Sequence, residues 1–176
     1  MSTLVAYASK HGSTAEIAER IAATLRGAGH EARALQASAV RDVNGCEAVL
    51  LGSAVYMGHW MKDATEFVRR LQPQLELRPL WLFDSGPVGP RVLPEAAEVA
   101  MYRKQFDVKD HRTFAGALVK KRLSLSERMM IRAVKAPYGD YRKWEDIDAW
   151  AMAIATWLAL AMNNPEPTAA GAGSWQ

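Results

Sequence analysis

The stretch Leu4-Val-Ala-Tyr-Ala-Ser-Lys-His-Gly-Ser-Thr14 constrains the fold more than any other part of the chain. An apolar run of strand character ends at Ser9, and a helical pattern starts at about Thr14. Between them lies a tight turn rich in hydroxyls, with one glycine. A strand that passes through such a turn into a helix aims several free backbone N–H groups at one point, with the positive end of the helix dipole behind them. That point is a phosphate site. Ser9, Ser13 and Thr14 offer hydroxyl donors, Lys10 adds positive charge, and Gly12 permits positive φ or close approach of the backbone to a ligand.

The spacing excludes the common nucleotide loops. The chain has neither Gly-x-x-x-x-Gly-Lys-Ser/Thr nor Gly-x-Gly-x-x-Gly after its first strand. Tyr7-Ala-Ser9 lacks the acidic residues of a receiver phosphoacceptor site. Cys46 is followed by Glu-Ala-Val-Leu-Leu-Gly, without the arginine of a cysteine-dependent phosphatase loop. What remains, Ser9-x-His11-Gly12-x-Thr14, resembles the FMN-phosphate loop of the flavodoxin family; an ordinary strand-to-helix turn with a hydroxyl cap is the competing reading.

Seven further segments fix the architecture. Ile17, Ile21 and Leu25, beside Ala18, Ala22 and Ala28, give an amphipathic helix ended by Gly27 and Gly29. His30 to Gln36 reads as a short edge strand. Glu47 to Ser53 is a continuous apolar run suited to a central parallel strand. A second helix runs from Met61 to about Leu71, with Phe67, Val68 and Leu71 inward. Leu80 to Asp84 and Thr113 to Val119 read as the fourth and fifth strands, and Trp144 to Met162 as the last helix. Alternating strands and helices imply parallel pairing with right-handed crossovers. The expected fold is α/β: a doubly wound, five-stranded parallel sheet in the order 2-1-3-4-5, spanning residues 1–162. Residues 163–176, rich in Pro, Ala and Gly, read as a flexible tail. Ligands in such sheets bind beyond the carboxyl ends of the strands, at the switch point between strands one and three.

Two more loops should therefore flank the first. After strand three come Gly52, Ser53, Ala54, Val55, Tyr56, Met57, Gly58, His59 and Trp60. Small residues at the strand end admit a ring, and the larger ones offer flat or polarisable surface to it. After strand four comes Asp84-Ser85-Gly86-Pro-Val-Gly-Pro90, a constrained loop that presents N–H groups to a ring edge, with Asp84 either capping the strand or meeting a ribityl hydroxyl. His59 is the one side chain near the expected ring edge suited to moving protons at neutral pH, and a capping or packing role competes with that reading.

With these loops on the page, the chain resembles the flavodoxin-like, FMN-dependent protoporphyrinogen dehydrogenases that pass electrons to menaquinone. The match rests on Tyr7 to Thr14, on Gly52 to His59 running on to Glu66-Phe-Val-Arg-Arg70, and on Phe114-Ala-Gly-Ala-Leu118 with a basic insert behind it, at about residues 120–143. Ser85-Gly-Pro-Val-Gly-Pro90 departs from the pattern of those enzymes. The resemblance implies FMN held non-covalently, a porphyrinogen-like substrate, a quinone acceptor and an α/β fold of flavodoxin type. An FMN-dependent quinone reductase of redox defence and a non-enzymatic electron carrier are the alternatives.

In the insert, Lys120, Lys121, Arg122, Arg128, Arg132 and Lys135 accompany Met129, Met130, Ala133 and Val134, with Ser126 as a candidate cap. This pattern suits an anionic membrane surface, propionate groups or a lipidic quinone, and equally a solvated helix packed on the sheet by its Met face. The net charge of +3 and pI near 9.1 count against an acidic electron carrier. No nucleic-acid motif accompanies the basic patch. One cysteine, no signal segment and no membrane-length apolar stretch give the expectation of a cytoplasmic protein touching the membrane peripherally; homodimer formation stays open.

Overall fold

A computed structural model describes residues 2–86, 95–133 and 138–163. Five parallel strands form the sheet: β1 (Ser2–Ala8), β2 (Glu31–Gln36), β3 (Cys46–Tyr56), and then β5 (Leu80–Ser85) and β6 (Val108–Phe114). A short strand, β4 (His59–Trp60), precedes β5 and turns back antiparallel on β3. The order across the sheet is β2-β1-β3-β5-β6, which is 2-1-3-4-5 when only the parallel strands are counted. The expected doubly wound sheet is thus the observed one.

Alternation along the inner strands divides the core in two. Leu4, Ala6, Val49, Leu51, Leu80 and Leu82 face α2 (Lys62–Leu75) and α3 (Ala97–Gln105). Val5, Leu50, Trp81 and Phe83 face α1 (Ser13–Gly27) and α5 (Trp144–Asn163). Strands covered on both faces need apolar side chains at every position, so β1, β3 and β5 were readable as unbroken apolar runs. Phe67 on α2 and Ile17 and Ile21 on α1 are fully buried, at the helical spacing their sequence predicts.

The fifth strand is displaced from its expected place. It occupies Val108–Phe114 rather than Thr113–Val119, and Ala117–Leu118 instead forms a separate strand, β7, antiparallel to β8 (Gly139–Asp140). Val-Lys-Asp-His-Arg-Thr-Phe lacks an apolar pattern because β6 is an edge strand whose polar side chains find specific partners. Asp110 accepts from Trp150 Nε1 at 2.8 Å, and His111 pairs with Asp84 at 3.0 Å. The segment after β3 also differs from a plain loop. Tyr56 pairs with His59 across a two-residue turn in which Met57 (φ 52°) and Gly58 (φ 82°) are both left-handed, the geometry that matches hairpin twist.

In the insert, α4 (Leu125–Ala133) starts one residue before the expected cap Ser126. The Ser124 carbonyl accepts from Arg128 N–H at 3.0 Å, so Ser124 holds the cap position and Ser126 lies in the first turn. Met129 is 74% exposed and Leu125 77% exposed, so neither of these two side chains packs on the sheet. The side chain of Met130, residues Val134 and Lys135, the stretch Pro87 to Pro90 and the tail from 164 lie outside the described residues. Among the described residues no helix is long and apolar enough to cross a membrane.

Candidate functional site

The first loop is built as an anion cradle. Gly12, at φ 87°, turns the chain into α1, and no side chain caps the helix. The N–H groups of the first turn have no intrahelical acceptor and point at the loop. Ser9 Oγ accepts the Gly12 N–H at 3.1 Å, and Ser13 Oγ accepts the Ala117 N–H at 3.0 Å. Each hydroxyl acts as acceptor in these bonds and keeps its own O–H to donate. Thr14 is turned inward: its hydroxyl shares a buried hydrogen bond of 2.8 Å with Ser85 Oγ at the end of β5.

The loops meet as the topology requires. A Cβ added at Gly86 would lie 3.2 Å from Val55 Cβ, and one at Gly116 would lie 3.8 Å from Ser13 Oγ. The ends of β3 and β5, the phosphate loop and the segment after β6 therefore converge. Gly52 makes room for Phe83, whose ring would stand only 2.0 Å from any Cβ there. Ser53 Oγ accepts the Met61 N–H at 2.9 Å and fixes the base of the hairpin, with Ala54 buried above it. Tyr56 is half-exposed, Met57 fully exposed, and Lys10 lies at the rim. His11 lies in the cradle, half-buried.

Two expected site residues have protein partners of their own. Asp84 is 2% exposed and bonds His111 Nε2 on the α2/α3 face, so its carboxylate braces the strand end. His59 stands at the surface with Nδ1 3.1 Å from Glu98 Oε1 on α3. Near it, burial and then the Glu98 charge push the Tyr102 hydroxyl up to about 12, which keeps it protonated at neutral pH.

Sequence reasoning missed Arg142. Its guanidinium, 6% exposed, reaches Asp140 at 2.6 Å, Glu16 at 2.6 Å and the Ser13 carbonyl at 3.5 Å, and it stacks on Trp144. These bonds raise its pKa and fasten the end of the insert to the first turn of α1. A lone arginine among the insert's many cations carried no signal.

A groove of about 790 Å³ lies apart from these loops, between β6 and α5, walled by Trp81, Phe114, Trp150 and Trp157. Its position beside an edge strand, away from the switch point, argues against it as the cofactor site. Among the described residues no cluster of His, Cys, Asp or Glu fits a metal ion.

A family model described as "Flavodoxin domain" matches residues 4–143. The chain belongs to the flavodoxin-domain family. Flavodoxin structures share the fold: one from the domain Archaea superposes with a TM-score of 0.65 at 14% identity, covering 90% of this chain and 99% of its own. Oxidised Flavodoxin 2 from Bacillus cereus gives 0.63 at 20% identity, covering 89% and 99%. In sequence, the chain is similar to the protoporphyrinogen IX dehydrogenase [quinone] of Escherichia coli strain K12, 23% identical over 172 residues, 88% of this chain and 95% of that protein. Membership of the flavodoxin family implies FMN as the bound group. The uncapped helix, the donor hydroxyls of Ser9 and Ser13 and the glycines at the loop contacts fit its phosphate and ring.

Proposed function

We propose that this flavodoxin-family chain is an FMN-dependent oxidoreductase that takes reducing equivalents from a porphyrinogen-like substrate and passes them to a quinone. FMN supplies the redox chemistry. The chain's residues bind and orient: Ser9, Lys10, His11, Gly12, Ser13 and Thr14 hold the phosphate end. Ala54, Val55, Tyr56, Met57 and Gly58 flank the ring from one side, and Ser85 and Gly86 from the other, with Asp84 supporting Ser85 from beneath. His59 accepts and returns protons at the ring edge: Glu98 takes its Nδ1–H, which leaves Nε2 as the acceptor.

The observation that carries the substrate assignment is the basic segment. Lys120, Lys121, Arg128 and Arg132 share one segment of the chain with exposed Leu125 and Met129, and Ser13–Ala117 and Arg142 tie this segment to the phosphate loop. Cations beside apolar side chains suit a large, flat, carboxylate-bearing substrate, or the anionic membrane from which a quinone arrives. The similarity to the protoporphyrinogen IX dehydrogenase [quinone] of Escherichia coli supports the same reading. Neutralising two charges with Lys120→Gln and Lys121→Gln should raise KM for a porphyrinogen about thirtyfold and leave FMN affinity unchanged, at about 1 kcal/mol per charge. An unchanged KM would contradict the assignment.

The flavodoxin likeness, which spans most of the chain, favours an electron carrier as the second reading. A carrier would turn over neither porphyrinogen nor a nicotinamide–quinone couple; a redox-defence reductase would turn over the latter alone.

A further inference from the structure

His111 holds both ends of the segment that leaves β5. Its Nε2 lies 3.0 Å from Asp84 Oδ2, at the strand end, and its Nδ1 lies 3.2 Å from Glu95 Oε1, two residues ahead of α3. The imidazole is 6% exposed on its side chain and Asp84 2%, so the bridge is sheltered from water and from salt. Asp84 is followed at once by Ser85 and Gly86, which meet Thr14 and Val55 in the cofactor site. Nothing in this arrangement belongs to the general anion cradle. It joins three separate elements through one ring.

We propose that His111 is a positioning residue for the flavin, clamping Asp84 and Glu95 so that Ser85 and Gly86 are presented to the ring at fixed height. The inference rests on the FMN site described above. Both acceptors are carboxylate oxygens, so the full clamp needs an N–H on each ring nitrogen, which only the charged imidazolium has. The charged groups around it are Asp84 on β5, Glu95 ahead of α3, Arg103 on α3 at 2.8 Å from Glu95, and Glu98 on α3, held by His59. On its own strand, Asp110 turns to Trp150 on the opposite face, and Arg112 pairs with Asp110. Asp84 Oδ1 is buried without a protein partner, so loss of the ring would leave a carboxylate uncompensated directly beneath Ser85. Loss of either bond loosens the presented backbone.

The test is FMN affinity and the absorbance spectrum of the bound flavin, read on wild type, His111→Gln and Glu95→Gln, with melting of the FMN-free chain as the control for folding. Glu95→Gln lies at the protein surface and spares the Asp84–His111 pair, so it keeps the fold. It should weaken FMN binding several-fold and shift the bands of the bound flavin, and His111→Gln should do both more strongly where it folds. A Glu95→Gln chain whose affinity and flavin spectrum match wild type overturns the clamp while the FMN site stands. A wild-type chain that takes up no FMN overturns both.

Discussion

Thr14 and Ser85, 71 residues apart, share a hydrogen bond of 2.8 Å that is closed to solvent and joins the first turn of the phosphate-loop helix to the end of β5. Each hydroxyl satisfies the other, so removing one strands its partner. Thr14→Val or Ser85→Ala alone should cost about 1–3 kcal/mol, and the double variant less than the sum. Urea denaturation of the four chains reads the coupling directly; strict additivity would mean the bond contributes nothing.

Met57 stores strain at the hairpin tip. Its φ of 52° is left-handed and its side chain is fully exposed, so packing offers no compensation. Met57→Gly should stabilise the fold by up to about 1 kcal/mol. If the methionine covers the ring or the substrate, the same variant should turn over more slowly. Stabilisation with slower turnover marks a functional strain, and stabilisation with unchanged turnover a dispensable one.

Arg142 should be costly to remove. Arg142→Gln removes the guanidinium from Glu16, Asp140 and the Ser13 carbonyl, at about 1–3 kcal/mol for bonds to charged groups. FMN affinity should fall with it, because Ser13 sits in the cradle. Arg142→Lys should recover only part of both, since a point charge cannot serve three acceptors in a planar fork. Thermal melts and flavin titration of the two variants check this.

Asp110 sets part of the acid limit. Burial alone raises its pKa, but the Trp150 indole N–H, the His111 backbone N–H and Arg112 outweigh that and hold it below the unfolded value of 3.8. A carboxyl lowered in the folded state adds stability that is present above 3.8 and disappears as pH falls through the folded value. Denaturation midpoints should therefore drop below about pH 4 in wild type, and the drop should be smaller in Asp110→Asn. Equal acid profiles would show that the Trp150 bond does not discriminate the charged form.

The sequence announced what continuous burial and turn chemistry dictate. The middles of β1, β3 and β5 are continuous apolar runs because helices cover both their faces, and Gly12 with its hydroxyl neighbours marks the turn into α1. It did not announce β6, whose Asp110 and His111 are tolerated only through partners on β5 and α5, far away in the chain. The run Phe114 to Val119 looked like a better strand, yet only Phe114 joins the core. Met57-Gly58 concealed a hairpin because methionine is a rare choice for a left-handed position. Asp84 and His59 were legible as polar residues near a ring but not as the partners of His111 and Glu98, which belong to elements the pattern left blank. Long-range pairing has no local signature.

One anaerobic experiment tests the central claim most directly. The chain is loaded with FMN, protoporphyrinogen IX is added, and absorbance at the oxidised flavin band is followed with and without a menaquinone analogue. Rapid bleaching that the quinone reverses is the predicted result. Bound flavin that stays oxidised in the presence of the porphyrinogen would contradict it.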